Sequence, residues 1–386
     1  MKNSFIKGLL LSLAEVCVLV GITIIAVVPF SCKVSTQGVQ VLEGDYVAPQ
    51  LDSYSVIDER TVELVFTEQV KVTGTVVSPF VEGVSDSEEH SASEDLSLAL
   101  SAAAGEVGAI SADVVYDESN SNVVRVVLAQ DAVVGLKYEL YGVVEDVHGN
   151  SLTFAVTFVG YNSRIPAIVM TEVQTDLVTK NAEEKSNGTR RAEFVELLAL
   201  EDGNLAGLEL FGCSYGESKK YSFPPIEVSK GEIIVVHMRK TGEGCVTEDK
   251  DLLNLASGAY TRTDVRDLWS ENESKCFGSK TDIIVLKNSL TDSIVDAVMF
   301  RESSVLSWEN LKVDCAEQIA NAGIYEGAGV EFATIGDGKT AVMTFTRADA
   351  LDLREKVLAG SYNQERVPSN SQTWTISAKG TAGVIQ

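Results

Sequence analysis

The chain has three histidines, and histidine is the usual acid or base of an enzyme that works near neutral pH. His90 lies in a polar acidic segment, His148 in a turn, and His237 in the strand-like run Val-Val-His-Met. For His237 we expect a strand side chain that points to the module surface. No GxSxG, P-loop, HExxH or GxGxxG motif stands in the strand or helix context that its chemistry requires. These observations favour a protein without catalytic activity.

Paired carboxylates are a second catalytic device, since glycosidases hold two of them roughly 5 to 10 Å apart. Glu193 and Glu196 are three residues apart, so in a β-strand their side chains point to opposite faces of the sheet. Such a pair does not flank one bond. We therefore interpret Glu196 as a structural or sheet-edge residue.

Four cysteines follow the N-terminal segment: Cys213, Cys245, Cys276 and Cys315. An even number in a secreted protein is typical of disulfides, and four cysteines allow three connectivities. Cys245 and Cys276 flank one polar loop, which favours a bond between them and a second bond between Cys213 and Cys315. Zinc is the alternative, but no CxxC or HxxxH spacing occurs. We predict no metal site and no cofactor.

The composition narrows the class of partner. The chain has 386 residues, with 31 Lys and Arg against 56 Asp and Glu, a formal net charge of -25. Binding to nucleic acid depends on clustered Lys and Arg that displace counterions from phosphates, so this charge argues against a nucleic-acid partner. With 45% apolar residues, the composition also excludes a mostly disordered or collagen-like chain.

The first 31 residues have the organisation of a secretory signal peptide. Lys2 and Lys7 precede an apolar stretch at residues 8–30, which ends at Ser31-Cys32. Such a segment is removed, and the mature chain then lies outside the cytoplasm. A small residue before a cysteine resembles the bacterial lipoprotein signal, in which that cysteine is lipidated and becomes the new N-terminus. The resemblance implies lipidation at Cys32.

An uncleaved membrane anchor is the alternative for this segment. Residues 16–30 are shorter than the ~20 residues that span a bilayer, and a longer span would bury the carboxylate of Glu15. Either interpretation tethers the protein to a membrane.

A polar tether at residues 32–50 leads into a first β-module at residues 51–162. Apolar and polar residues alternate at residues 61–66, 123–128 and 138–144, which predicts half-buried strands. The pieces at residues 62–70, 136–140 and 145–150, the last before a final strand at residues 153–159, resemble the bacterial Ig-like domain of S-layer proteins. We interpret Asp146 and Asn150 as turn residues, because two oxygen ligands do not make a calcium site.

A second module occupies residues 165–386. Its motifs, in order, are FVEL, LAGLEL, KGE before an apolar strand, IVDAV, TFTR, TWT and GTAG. This order resembles the lamin-tail domain, an Ig-like β-sandwich that is also found in secreted and surface bacterial proteins. Helical insertions are predicted at residues 315–323 and 348–361, the first of them ending at Gly323.

The sequence thus predicts an all-β fold, with two Ig-like β-sandwich modules in tandem and short helical insertions in the second. We expect a membrane-anchored lipoprotein of the cell envelope, periplasmic or surface-exposed, with a structural or binding role as an adhesin or scaffold. Recognition of a protein or an envelope glycan would fall to insertions at residues 80–112, 239–280 and 311–362. Four aromatic residues would favour such contact if they lined a shallow groove: Trp269, Phe277, Trp308 and Tyr325.

Two other functions stay open. Bacterial lamin-tail domains accompany secreted hydrolases and nucleases, so a hydrolase or a hydrolase-associated protein is the alternative; it would need titratable groups that converge in a deep pocket. Calcium-dependent adhesion would need at least three carboxylates at the junction of the modules, where Asp52, Asp146 and Glu172 are candidates.

Overall fold

The computed structural model describes residues 45–80, 109–178, 190–242, 244–248, 253–336, 344–363, 369–377 and 380–386. Met1–Val47 and Ala48–Gln386 are separate compact units, and only residues 45–47 of the first are described. The signal peptide, Cys32, His90 and the segment 81–108 therefore lie outside the described residues. Across the described ranges, no helix is both long enough and apolar enough to cross a membrane.

The first sandwich has two antiparallel sheets. Its strands are β1 (Leu51–Val56), β2 (Thr61–Phe66), β3 (Lys71–Pro79), β4 (Ala112–Tyr116), β5 (Val123–Leu128), β6 (Lys137–Glu145) and β7 (Ser151–Val159). One sheet has the order β1-β2-β5-β4 and the other β3-β6-β7. Every second residue of β6 is buried, which matches the alternating pattern of its sequence. The core between the sheets contains Leu64, Phe66, Val126, Leu140 and Phe154.

The second sandwich is larger. Its strands are β8 (Ile168–Gln174), β9 (Phe194–Ala199), β10 (Gly203–Asn204), β11 (Leu208–Gly212), β12 (Tyr221–Ser222), β13 (Glu227–Val228), β14 (Ile233–His237), β15 (Arg266–Trp269), β16 (Thr281–Asn288), β17 (Ser293–Arg301), β18 (Thr334–Ile335), β19 (Thr344–Arg347) and β20 (Trp374–Ser377). A six-stranded sheet, β15-β14-β9-β8-β19-β20, faces a five-stranded sheet, β12-β11-β16-β17-β18, and β10 pairs with β13. One large apolar core fills the space between them.

Two α-helices belong to the second sandwich, α1 (Leu311–Asn321) and α2 (Ala350–Leu358). Helix α1 begins four residues before the predicted Cys315, and Ala316 and Ile319 pack against the outer side of the five-stranded sheet. It ends as predicted at Gly323, whose φ of 71° is left-handed. In α2 Ala350 and Val357 are buried, whereas Leu351 and Leu358 are exposed.

The two sandwiches meet directly through the segment that connects them. The Nδ2 atom of Asn162 donates to the carbonyl oxygens of Asn204 and Ala206 at 2.8 and 2.7 Å. Gly135 of the first sandwich has a φ of 76°, and a Cβ there would lie 2.8 Å from the Pro225 ring of the second. The predicted all-β fold of two tandem Ig-like sandwiches is confirmed, with the helices in the second.

Candidate functional site

The structure corrects one of the two predicted disulfides. Cys213 and Cys315 form a disulfide with a Cα–Cα distance of 6.7 Å, which joins β11 to helix α1. Cys245 and Cys276 are free buried thiols, so the predicted bond between them is wrong. The reason is their packing: the Sγ atom of Cys276 donates to the Met238 carbonyl at 3.0 Å in the main core, whereas Cys245 packs beside Trp269. Burial raises the pKa of the Cys276 thiol to about 12.

The four aromatic residues do not form a groove. Trp269, Phe277 and Tyr325 are buried in the cores of the second sandwich. Trp308 is half-buried, and its Nε1 atom donates to the Ala328 carbonyl at 2.8 Å. The expected aromatic contact surface is therefore wrong, because these side chains stabilise the insertions from inside.

The segment 239–280 also differs from the expected polar loop. It contributes β15, which pairs in parallel with β14 and has four buried residues. Arg266 is buried there because its Nε atom donates to Glu232 at 2.7 Å, and the carboxylate of Glu248 lies 3.8 Å from its Nη1 atom. Charged residues thus occupy a buried edge strand, which a polarity pattern does not reveal.

Asp146 holds the turn between β6 and β7. Its Oδ1 atom accepts the backbone N–H groups of His148 and Asn150, both at 2.8 Å, and its Oδ2 atom accepts the Asn150 side-chain amide at 2.6 Å. These bonds account for the conformation of the turn. The other two calcium candidates lie elsewhere in the fold, with Asp52 exposed on β1 and Glu172 buried in β8.

His237 is fully buried, which corrects the surface position expected for it. Its Nε2 atom lies 2.7 Å from Asp267 Oδ1, and its ring stacks on Trp269 with 4.1 Å between centroids. The second oxygen of Asp267 accepts the Arg262 backbone N–H at 2.8 Å. The pair lies inside the sandwich without access for a substrate, so its geometry is that of a structural hydrogen bond.

Glu193, just before the FVEL motif, and Glu196 within it have separate partners. The Oε1 atom of Glu193 accepts Arg239 Nη2 at 2.6 Å and the Cys276 backbone N–H at 3.1 Å. Glu196 instead accepts Thr171 Oγ1 at 2.6 Å. Glu193 and Glu196 thus contact different neighbours, and the relevant neighbour of Glu196 is a carboxylate on the adjacent strand.

That neighbour is Glu172. In the antiparallel register of β8 and β9, Glu172 and Glu196 are direct Cα partners, and each side chain is 1% exposed. Both bind the last residues of the chain: Glu172 accepts Thr381 N–H at 3.0 Å and Thr381 Oγ1 at 2.9 Å, and Glu196 Oε2 accepts Gly383 N–H at 2.8 Å. The strand pairing therefore creates a buried acidic pair under residues 380–386.

Burial controls the protonation of this pair. Desolvation, with a smaller contribution from the charge of Glu196, raises the pKa of Glu172 to about 7, although the hydrogen bonds from Thr381 oppose the shift. Desolvation likewise raises the pKa of Glu196. Near neutral pH the pair is thus close to the point at which one proton is lost.

A cleft of about 310 Å³ opens at the edge of the second sandwich. Its polar lining combines the buried Arg347 and Asp296 with Glu201, Asp349 and Ser369. Arg347 Nε donates to Asp349 Oδ1 at 2.8 Å. Apolar side chains cover the remaining walls: Ala167, Ile168, Val169, Leu200, Val295, Ile324 and Leu353.

Part of this cleft comes from a predicted recognition segment. Ile324, Arg347, Asp349, Leu353 and Tyr362 all belong to residues 311–362. Their grouping with the ends of β8 and β9 was not predicted, since it depends on how distant strands pack. The only sequence signal was the closing TFTR motif, whose arginine is Arg347.

The fold is that of a tandem β-sandwich protein, and most of its elements are β-strands. Residues 166–376, just over half of the chain, match the family model TP_1001_2nd, described as "protein second domain". The chain therefore belongs to this family.

A relative from Treponema pallidum (strain Nichols), described as an uncharacterized protein, is 28% identical over 195 residues, which are 48% of this chain and 47% of the relative. The chain thus spans about half the length of this relative. Two solved structures of the bacterial S-layer protein SbsC are also similar. The structure of the N-terminal part of SbsC is 17% identical to this chain, and the match covers 49% of this chain and 40% of that structure. The structure of SbsC domains 1-6 is 12% identical, and the match covers 63% of this chain and 39% of that structure. Both TM-scores are 0.23, too low to support an inference.

Proposed function

We propose that this protein is a lipid-anchored, non-catalytic scaffold of the cell envelope, tethered through Cys32 and residues 32–50. In this proposal an Ig-like module at residues 51–162 precedes a lamin-tail-like module at residues 165–386. The observation that carries the proposal is the direct joint between the sandwiches, in which both Asn162 donor bonds end on backbone carbonyls of the second sandwich. A joint of this kind restricts the relative motion of the two modules, which supports a role as a scaffold or adhesin.

The buried ionisable residues are consistent with a non-catalytic role. His237 and Asp267 bind each other inside the sandwich, and Glu193 binds Arg239. Each of these groups is occupied by a partner that fixes the fold. General acid–base catalysis instead requires such a group to reach a substrate proton.

Detergent partitioning and intact mass of the protein from its native membrane test the anchor. We expect the wild-type chain to begin at Cys32 with added acyl groups and to enter the detergent phase, whereas Cys32→Ala enters the aqueous phase. Cys17→Ala is the matched control, because Cys17 lies in the removed segment, and it should behave as wild type. A wild-type protein whose mass includes residues 1–31, and whose partitioning Cys32→Ala does not change, would instead establish an uncleaved anchor.

The cleft supports a second role, binding of a small ligand. Three carboxylates line it against one guanidinium, and most of its wall is apolar. The chemistry that complements this lining is a primary ammonium on a short aliphatic chain, as in a diamine or a lysine side chain. The cleft volume of about 310 Å³ suits a ligand of this size.

Calorimetric titration with pentylamine and pentanoate tests the charge preference of the cleft. We expect pentylamine to bind at least tenfold more tightly, and Glu201→Gln to weaken it. Asp352→Asn removes an exposed carboxylate of α2 that does not line the cleft, so it should bind pentylamine as wild type does. Equal binding of both probes, or no binding of either, would refute a cation-binding cleft. A lysine derivative blocked at both backbone ends then distinguishes a peptide side chain from a free diamine.

A further inference from the structure

The last seven residues form a strap, defined here as residues 380–386, on the face of the six-stranded sheet that is turned away from the main core. Ala382 and Ile385 pack against an apolar cluster that includes Phe194, Val235 and Val265. The strap thus covers the outer face of β9 and β14.

Two glycines allow the strap to approach the sheet closely. A Cβ at Gly380 would lie 2.5 Å from Gln174 Oε1 and 2.7 Å from the Phe194 ring. Gly383 has a φ of 78°, and a Cβ there would lie 2.6 Å from the Arg262 side chain. A residue with a side chain at either position would push the strap away from the sheet.

The polar anchors of the strap are the two carboxyl groups of the buried acidic pair. Glu172 accepts both the backbone N–H and the hydroxyl of Thr381, and Glu196 accepts the backbone N–H of Gly383. Two carboxylates on directly paired residues repel each other when both are charged, and burial strengthens that repulsion. The groups that hold the strap are therefore themselves sensitive to protonation.

We propose that residues 380–386 are a pH-dependent strap, closed on the sheet while the Glu172 and Glu196 pair retains a proton and released when both groups ionise. Release exposes the acidic pair to water, which removes the cost of two buried charges. In the closed state the strap covers the outer faces of β8 and β9 at Glu172 and Glu196. This proposal does not depend on the proposed lipid anchor.

The groups around the pair determine the direction of the response. Glu172 faces Glu196 of β9, Thr346 of β19 and Thr381 of the strap, and of these only Glu196 carries a charge. The neighbours of Glu196 include Thr171, the backbone N–H groups of residues 383 and 384, and the positive charge of Arg354 in α2. These hydrogen bonds and Arg354 favour ionisation, but desolvation is the largest effect on each carboxyl group. Opening of the strap should therefore increase as the pH rises.

Hydrogen exchange of the full chain, measured by mass spectrometry at pH 5.5 and pH 8.0, tests the strap. After correction for the intrinsic exchange rates, the protection factor of the C-terminal peptide should be roughly 30-fold lower at pH 8.0 than at pH 5.5. This is the change expected when the pKa of one carboxyl group, that of Glu172, is 4.5 in the open state and about 7 in the closed state. Peptides from β6, in the first sandwich, should keep their protection at both pH values.

Two variants separate the pair from other titrations. Glu172→Gln combined with Glu196→Gln keeps both acceptor oxygens but leaves no titrating group in the pair, so its strap protection should be independent of pH. Glu209→Gln removes a carboxylate that binds Lys220 on the opposite sheet, and should retain the wild-type response. Thr381→Val, which loses only the strap hydroxyl, should lower protection at both pH values. A wild-type strap with equal protection at both pH values, or a response that persists when Glu172 and Glu196 are both replaced by Gln, would overturn the proposal.

Discussion

Glu172 and Glu196 face each other as direct partners across β8 and β9, and both side chains are buried. Neighbouring like charges are usually avoided in a protein interior, because each charge lacks water and repels the other. Here the C-terminal residues supply the hydrogen bonds that make the arrangement tolerable. The pair links the pH of the surroundings to the stability of the second sandwich.

The free energy of unfolding should decrease between pH 5 and pH 8. The pKa of Glu172 is raised in the folded protein, from 4.5 to about 7. Its stabilising contribution is therefore complete below about pH 4.5 and is lost as the pH rises through 7. At about 1.4 kcal/mol per pKa unit, the loss between pH 5 and pH 8 amounts to about 2.5 kcal/mol. Urea denaturation followed by tryptophan fluorescence at each pH measures it.

Glu172→Gln should reduce this pH dependence, although Glu196 and Asp282, whose pKa values burial also raises, still titrate. Asp117→Asn is a useful contrast, because hydrogen bonds from Ser119 lower the pKa of Asp117 to about 2. Its contribution is present above about pH 4 and lost only at more acid pH, so this variant should leave the decrease between pH 5 and 8 intact. A flat wild-type curve over that interval would contradict the assignment to the buried pair.

The disulfide should stabilise the second sandwich strongly. Cys213 and Cys315 are 102 residues apart, so their bond restricts a long loop of the unfolded chain. We expect Cys213→Ala with Cys315→Ala to lower the free energy of unfolding by about 2–5 kcal/mol. Calorimetric melting measures the loss, and reduction of the wild-type protein should reproduce it. Cys245→Ala removes a thiol outside the bond, and should keep the sensitivity to reducing agent.

Asn162 should couple the unfolding of the two sandwiches. Asn162→Ala deprives the carbonyl groups of Asn204 and Ala206 of a buried donor, at a cost of about 1–3 kcal/mol. Calorimetry should then separate one transition into two, because the first sandwich no longer depends on the second. Asn122→Ala, in an exposed turn of the first sandwich, is the control and should leave the number of transitions unchanged. A single transition in Asn162→Ala would show that other contacts carry the coupling.

The His237–Asp267 pair should show strong energetic coupling. His237→Phe and Asp267→Leu each leave a buried polar partner without its bond, and we expect each to cost about 1–3 kcal/mol. The double variant should cost less than the sum of the two, since neither partner is then left alone. A double-mutant cycle from urea denaturation measures this difference. Additive losses would mean that the two side chains act separately.

Local patterns predicted most of the strands. The alternating residues of β2, β5 and β6 and the apolar run of β14 lie where expected, because one or both faces of each strand are buried. The C-terminal end of helix α1 was predicted from Gly323, whereas its start at Leu311 was not predicted. The short β15 was missed altogether, since its buried Arg266 and Asp267 are stabilised by partners distant in sequence.

The candidate sites were less predictable. The acidic pair combines a residue of β8 with one of β9 and with the chain's last residues, and only the register of the sheet brings these together. The aromatic residues were misassigned for a related reason: an aromatic side chain in a polar segment is equally compatible with a contact surface and with a core. Burial depends on what packs over the segment, which no local pattern contains.

By itself the sequence determined the all-β class, the two tandem sandwiches and most of the strands, because these follow from residue alternation and turn residues a few positions apart. The tertiary structure alone decided which cysteines bond, which carboxylates meet and where the chain's end is held. The disulfide and the place of the chain's end depend on contacts between residues that lie more than 100 positions apart, the Cys213–Cys315 bond and the Glu172–Thr381 hydrogen bonds. The meeting of Glu172 and Glu196 depends on the register of β8 and β9. Such contacts form only when the sheets pack.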